Sequence, residues 1–349
     1  MSEALRKFRV SNDALDDGEE LRCRIAEEGY LFFRRLQDAD RMLALRRDML
    51  SVIAEAGWLV PGTDPADGIA DPSRACTEGD PEYTPVYSAV YKLESFHHAG
   101  HWPEVIDLMG KVIGQPVLPH PQKIARLWFP QFTDHTTPVH QDFVHFQGNF
   151  DTYTCWAPVG DCPIELGPLA ILPRSQELEG LLDHHSSLGA GGLKIDPGEL
   201  DGEWFSTDFE IGDTLVFNAL MVHKALPNLT ADRLRVSLDN RYQAVSGTIA
   251  EHMLQPHLQR LSGLAWDEVY ADWSGSRDLR YYWEGLDLET RPRDFSYAER
   301  GFEEAVAQAR QGDEWGLIAM RRVVRNNLNP TQVEIARAVL GELEEIPAE

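Results

Sequence analysis

The sequence predicts a mainly β fold with α additions: a double-sheet jelly roll as core, preceded by an N-terminal α/β segment and followed by C-terminal helices. Three observations carry this. Between about residues 115 and 245 the chain breaks into short β-type runs, KIARLWF, HQDFVHF, TYTCWAPV, LAILP, DTLVFNALMVH and LRVSLDNRYQ, separated by turn residues. Residues 18–57 instead alternate helix and strand signals. After about residue 250 the pattern turns helical, with Ser296/Glu299 and Thr331/Glu334 spaced as capping boxes.

Taken in order, EELRCRIAEE reads as a polar helix, GYLFF as a short strand and DADRMLALRRDMLSVIAEAGW as an amphipathic helix. Residues 60–90 are rich in Pro, Gly and Asp, and so long a loop in a compact chain is a candidate lid. The expected organisation is an N-terminal segment over 1–114, a jelly-roll catalytic core over 115–249 and a helical extension over 250–349, integrated in one domain. The extension is expected to cover the barrel or form a dimer contact, since its amphipathic helices need a surface on which to bury their apolar stripes.

Composition narrows the function. With 349 residues, 43% of them hydrophobic, the chain can bury a full core. A net charge of -25 opposes binding to phosphate backbones and anionic lipid, so neither nucleic acid nor membrane is an expected partner. The start MSEALRKFRV has no signal-peptide run, no window is apolar enough for a membrane span, and the four cysteines fall in no CxxC pattern. A cytoplasmic protein acting on a small molecule, as monomer or homodimer, is the expectation.

The stretch TPVHQDFVHF (137–146) places His140 and Asp142 two residues apart. With 12 histidines and 57 acidic residues, chance alone supplies about two such triplets, so the pair needs support. In a strand, side chains at i and i+2 leave one face and can grip one ion. A third ligand is available in His223, which ends the apolar run DTLVFNALMVH before a turn. Two histidines and one carboxylate form the facial triad that leaves positions of Fe(II) open, whereas zinc favours three histidines or cysteines. Further on, Arg233, Arg235, Ser237, Asp239 and Arg241 share one strand face. A buried arginine there needs an anion, and a dicarboxylate cosubstrate would supply it.

These pieces together resemble the phytanoyl-CoA dioxygenase family of Fe(II)/2-oxoglutarate oxygenases. The resemblance lies in TPVHQD (137–142), the Cys-Trp of the next strand, GPLAILPRS (167–175), GDTLVFNALMVHKALPN (212–228) and RVSLDNRY (235–242), in the family's order. It implies a cupin-like core, His140, Asp142 and His223 as iron ligands, and Arg235 as partner of the distal carboxylate of 2-oxoglutarate. It also implies that Trp156 lines that pocket, and that Lys92, in VYKLESF, lies on an upstream strand and touches the cosubstrate. The implied reaction consumes O2 and 2-oxoglutarate and hydroxylates a C–H bond of a small metabolite or natural-product intermediate. Retention of Asp142 speaks against halogenation, since a halide would need its coordination position.

The chain departs from the family at Ala225, where many members carry serine, and at Pro-Arg-Ser-Gln (173–176) in place of Pro-Gly-Ser-His. Its His223-to-Arg235 interval is one residue longer, which leaves Arg233 as a competitor for the anchor. Arg126 and Trp128 share a face of KIARLWF and are candidate substrate contacts. His145, of odd parity relative to His140, is expected to point away from the metal yet is retained as a substrate contact. His97, His98 and His101 read as a solvated turn. An acyl-CoA substrate is disfavoured because no basic cluster is visible for its phosphates. The rival classes are a non-oxidative cupin-like metalloenzyme with the same ligands and a non-catalytic ligand-binding jelly roll.

Overall fold

A computed structural model describes residues 5–344 except 179, 197 and 199. The chain forms a mixed α/β fold with antiparallel sheets. The N-terminal part runs α1 (Gly18–Glu28), β1 (Tyr30–Phe33) and α2 (Ala39–Glu55), as the alternating signals predict. The side chain of Asp17 caps α1 by accepting from the backbone N–H groups of Glu19 and Glu20. Gly29 ends that helix at φ 79°, a left-handed conformation that favours glycine at the turn into β1. Helix α2 buries Met42, Leu45, Met49, Leu50 and Ile53, one stripe at helical spacing.

Next come α3 (Tyr83–Tyr91), α4 (Glu94–Ala99) and α5 (Pro103–Ile113). VYKLESF is therefore not a strand. Tyr83, Val86, Tyr87, Val90 and Tyr91 are buried at helical spacing, a period hidden when only the residues around Lys92 are weighed. The histidine cluster is not a solvated turn either: His97 is buried in α4 with its Nε2 2.7 Å from the Tyr91 carbonyl.

The remaining strands are β2 (Val117–Pro119), β3 (Ile124–Trp128), β4 (His140–Gln141), β5 (Tyr153–Pro158), β6 (Leu169–Ile171), β7 (His185–Ser186), β8 (Leu193–Lys194), β9 (Thr214–Asn218), β10 (Val222–Ala225), β11 (Arg235–Ala244), β12 (Ile249–Ala250) and β13 (Thr290–Arg291). The larger sheet has the order β1-β9-β5-β11-β2, with β3 also paired to β11, and the smaller has β4-β10-β6. Both are antiparallel throughout. Trp156 and Phe217 of the larger sheet pack in one apolar cluster with Leu169 and Ala225 of the smaller, so the two sheets share a core.

HQDFVHF is strand only at its start. At Asp142 the backbone turns to φ -61°, ψ -26° and enters α6 (Phe143–Phe146). The C-terminal part contains α7 (Gln259–Ser262), α8 (Trp266–Val269), α9 (Ser296–Arg310), α10 (Glu314–Asn326) and α11 (Pro330–Glu344). The two expected capping boxes are replaced by earlier caps. The Ser296 N–H donates to Asp294, and those of Thr331 and Gln332 donate to Asn329. Helices α9 to α11 enclose a core of their own, including Ala305, Ala309, Met320, Ala336 and Val339. Among the described residues no helix is long and apolar enough to cross a membrane.

Candidate metal centre

Strands β4 and β10 pair so that His140 and His223 face each other directly across the ladder. Asp142 follows at the strand end, and one ligand atom from each of the three lies within 4.8 Å of the others. All three are buried. Each imidazole is fixed by its own strand: Nδ1 of His140 donates to the Pro138 carbonyl at 2.8 Å and Nδ1 of His223 to the Met221 carbonyl at 2.9 Å. A carbonyl can only accept, so the proton resides on Nδ1 and Nε2 carries a lone pair. Those lone pairs point at Oδ1 of Asp142, 3.4 Å from His140 and 3.7 Å from His223. Burial, reinforced by His140, pushes His223 down to about 3, which keeps it neutral at pH 7. Three electron-pair donors aimed at one another repel unless a cation sits among them, and two imidazoles with one carboxylate suit Fe(II).

Asp142 is held from its other side. Burial alone would raise its carboxyl, but the Arg241 guanidinium beside it opposes this and holds it well below the usual carboxylate range. Arg241 Nη2 lies 3.3 Å from Oδ2, and the Thr154 hydroxyl donates to the same oxygen at 2.6 Å. From sequence, Arg241 falls on the inward strand face without a role, and Thr154 is not singled out. Thr154 stands two residues before Trp156 on β5, so strand parity placed it on the same face.

A narrow pocket adjoins the triad, lined by Thr137, Thr154, Trp156, Phe217, Arg235 and Asp239 beside the three ligands. Arg235 is buried, donates to the Gly167 carbonyl at 2.8 Å and has no carboxylate partner among the described residues. Gly167 (φ 81°) packs against the backbone of 226–228, where a Cβ would lie 2.4 Å from the Leu226 carbonyl oxygen. Desolvation lowers the Arg235 guanidinium to about 10, so it remains cationic at neutral pH. The indole N–H of Trp156 is buried without a partner. A carboxylate beside Arg235 and a polar atom beside Trp156 are what this pocket lacks. Arg233 precedes β11 and is exposed.

A larger cavity of about 510 Å³ opens beyond the triad, walled by His140, Asp142, Arg126, His145 and Arg241, by Thr77, Glu78 and Gly79 of the predicted lid, and by the C-terminal part. Arg126 pairs there with Glu78 at 3.0 Å and Asp239 at 3.1 Å. The parity argument for His145 fails because α6 replaces the strand: its ring centroid lies 5.4 Å from that of His140 and its Nε2 is buried without a partner. Trp128 does not line this cavity. It lies beside Arg235, whose guanidinium carbon is 5.8 Å from its ring centroid. Lys92 reaches neither space. It is exposed at the C-cap of α3, where its N–H donates to the Ser88 carbonyl at 3.1 Å and its carbonyl accepts from the Trp273 indole N–H at 2.9 Å.

The chain is 27% identical over 274 residues to the 1-deoxypentalenic acid 11-beta-hydroxylase of Streptomyces arenae, spanning 73% of this chain and 92% of that protein. Identity to the enzyme of the same name from Streptomyces exfoliatus is 24% over 270 residues, with the same shares. Among solved structures, EctD from S. alaskensis in its apoform superposes with a TM-score of 0.49 at 16% identity, covering 84% of this chain and 94% of that one. Residues 25–236, more than half of the chain, match the phytanoyl-CoA dioxygenase family. The protein therefore belongs to the phytanoyl-CoA dioxygenase family, and is an oxygenase dependent on Fe(II), 2-oxoglutarate and O2.

Proposed function

We propose that His140, Asp142 and His223 hold Fe(II), that Arg235 anchors the distal carboxylate of 2-oxoglutarate, and that the enzyme hydroxylates a C–H bond of a small metabolite. The observation that carries this is the meeting, in one pocket, of three convergent donors and a buried arginine without a carboxylate. The iron with 2-oxoglutarate and O2 supplies an oxidant able to take hydrogen from an unactivated C–H bond, with release of succinate and CO2.

The protein's part is placement. The Nδ1 hydrogen bonds of His140 and His223 aim their Nε2 lone pairs, while Thr154 and Arg241 fix which oxygen of Asp142 faces them. Trp156 walls the cosubstrate pocket and keeps it dry. Arg126 and His145 line the cavity that receives the substrate. The names of the two Streptomyces relatives specify hydroxylation of an organic acid, which supports hydroxylation here.

The reading includes a double-stranded β-helix, with the β4-β10-β6 sheet opposed to the larger one. Its units are 1–114, 115–249 and 250–349, whose ends at 1–4 and 345–349 lie outside the described residues. It includes a cytoplasmic monomer or homodimer, which the all-free cysteines fit. The test is conversion of 2-oxoglutarate to succinate by purified protein supplied with iron, and its stimulation by candidate metabolites. Absence of any iron-dependent succinate would sink the reading.

A further inference from the structure

We infer that the C-terminal part builds an anion-binding subsite into the wall of the substrate cavity, formed by Arg293, Arg322 and Arg260, and that the substrate carries a carboxylate or phosphate that docks there. This rests on the cavity assigned above to the substrate and adds its chemical class.

The charge balance carries the inference. The chain has a net charge of -25, yet Arg126, Arg241, Arg260, Arg293 and Arg322 all line this one cavity. The first two are neutralised, Arg126 by Glu78 and Asp239 and Arg241 by Asp142. Among the described residues the other three reach no carboxylate within ion-pair distance. The carboxylates that act on Arg322 from a distance, Asp80 and Glu78, are already held by Arg325 at 2.9 Å and Arg126 at 3.0 Å.

The hydrogen bonding is equally incomplete. Nε of Arg293 and Nε of Arg322 are buried without a partner. Arg322 makes a single long donation, 3.4 Å from Nη1 to the Leu188 carbonyl. Arg260 donates to the Leu328 carbonyl, also at 3.4 Å. Burial lowers the guanidinium of Arg293, and Arg260 beside it adds like-charge repulsion. A buried charged donor left unpaired costs more than the roughly 1–3 kcal/mol of a neutral one. An anion beside Arg293 and Arg260 would offset their repulsion and offer the Arg293 Nε an acceptor, and Arg322 on the wall of the same cavity presents a further unpaired donor.

Placement fits a substrate group. Phe146, Leu188, Met253 and Leu258 line the same cavity as His140 and Asp142. A molecule anchored by an anionic group at Arg293 and Arg322 would lay an apolar body along these side chains. All three arginines lie beyond residue 236, where the family match ends.

The test is a calorimetric titration of the full chain, without iron or 2-oxoglutarate, with dodecanoate, dodecyl phosphate and dodecan-1-ol, whose alkyl chains are identical. At least one anion should bind about 10-fold or more tighter than the alcohol, a margin that shrinks as salt is added. Arg322→Gln and Arg293→Gln should each remove most of that margin, and Arg322→Lys should retain part of it. Arg321→Gln, exposed one residue away, should leave it intact. The tighter anion tells carboxylate from phosphate. Alcohol binding equal to that of both anions overturns the subsite, as does a margin that survives Arg293→Gln and Arg322→Gln. Iron-dependent succinate formation by the unaltered protein is measured separately, so loss of the anion preference with succinate intact rejects the subsite alone, and the converse rejects the oxygenase reading alone.

Discussion

The sheets and the C-terminal helices wall the same cavity but bring different electrostatics to it. On the sheet side, the cations Arg126 and Arg241 are each matched to carboxylates, and the triad is braced by Thr154 and two backbone carbonyls. On the helical side, Arg293 and Arg322 have buried N–H groups with no acceptor. Their packing differs too. The sheets share apolar clusters with the N-terminal helices, whereas α9 to α11 keep a core of their own. The sheet side also leaves Arg241 Nε, Trp156 Nε1 and His145 Nε2 buried without a partner, but its two cations on the cavity wall have carboxylates, whereas the arginines of the helical side have none among the described residues. Substitutions in the two regions should therefore separate, with turnover failing on one side and substrate affinity on the other.

The largest effect belongs to the triad. His140→Ala, Asp142→Ala and His223→Ala each remove one of the three donors proposed for iron, and each should reduce turnover to background in a folded protein. Iron content by metal analysis, with circular dichroism for folding, checks this. A fully active, iron-replete variant would remove its residue from the triad.

Arg235 comes next. Loss of a charge-assisted pair in a dry pocket costs about 2–5 kcal/mol, so Arg235→Leu should weaken 2-oxoglutarate roughly 30-fold to a few thousand-fold. Arg233→Leu, at an exposed side chain, should cost under about 1 kcal/mol. Equilibrium binding of 2-oxoglutarate to the two variants decides between them. Equal losses would mean that the anchor lies elsewhere.

That contrast also shows what the sequence could reveal. Strand parity placed Arg235 facing inward, and β11 confirms its burial, but parity also put Arg233 on that face because nothing in the residues marked where the strand begins. His145 was misplaced for a related reason: a strand that turns helical at Asp142 breaks the period on which the reading depended. Lys92 failed because a short apolar window fits either period. The anion subsite was invisible for a different reason. Arg260, Arg293 and Arg322 are scattered over more than sixty residues, and only folding gathers them, so a search for basic clusters along the chain finds none.

A smaller effect tests the bracing of the triad. Thr154→Val keeps the shape of the side chain and removes the 2.6 Å hydrogen bond to Asp142 Oδ2. Partners at one remove from a metal typically change affinity by about 10–100-fold. Iron affinity should fall by that order while anion binding at the helical side is unchanged. A parallel loss of both would show that the two regions are coupled more tightly than their packing suggests.

The smallest effect is expected where the regions join. Glu304 of α9 accepts from the Ser186 N–H at 2.7 Å and pairs with His185 at 3.0 Å, fastening the helices to β7. Both side chains of the pair are more than a third exposed, so solvent screens the charge and leaves the backbone hydrogen bond as the main contribution, about 1 kcal/mol or less. Glu304→Gln can still accept from Ser186, and its effect on stability should be small. Glu304→Ala loses both contacts and should loosen α9 without touching the triad. Hydrogen exchange should then quicken in α9 and α10 and stay unchanged in β4, β5 and β10, while iron affinity holds. If exchange in β10 quickens to the same degree, the helices and the sheets open as one cooperative unit. The division between a catalytic core and a substrate-binding cap would then have to be redrawn.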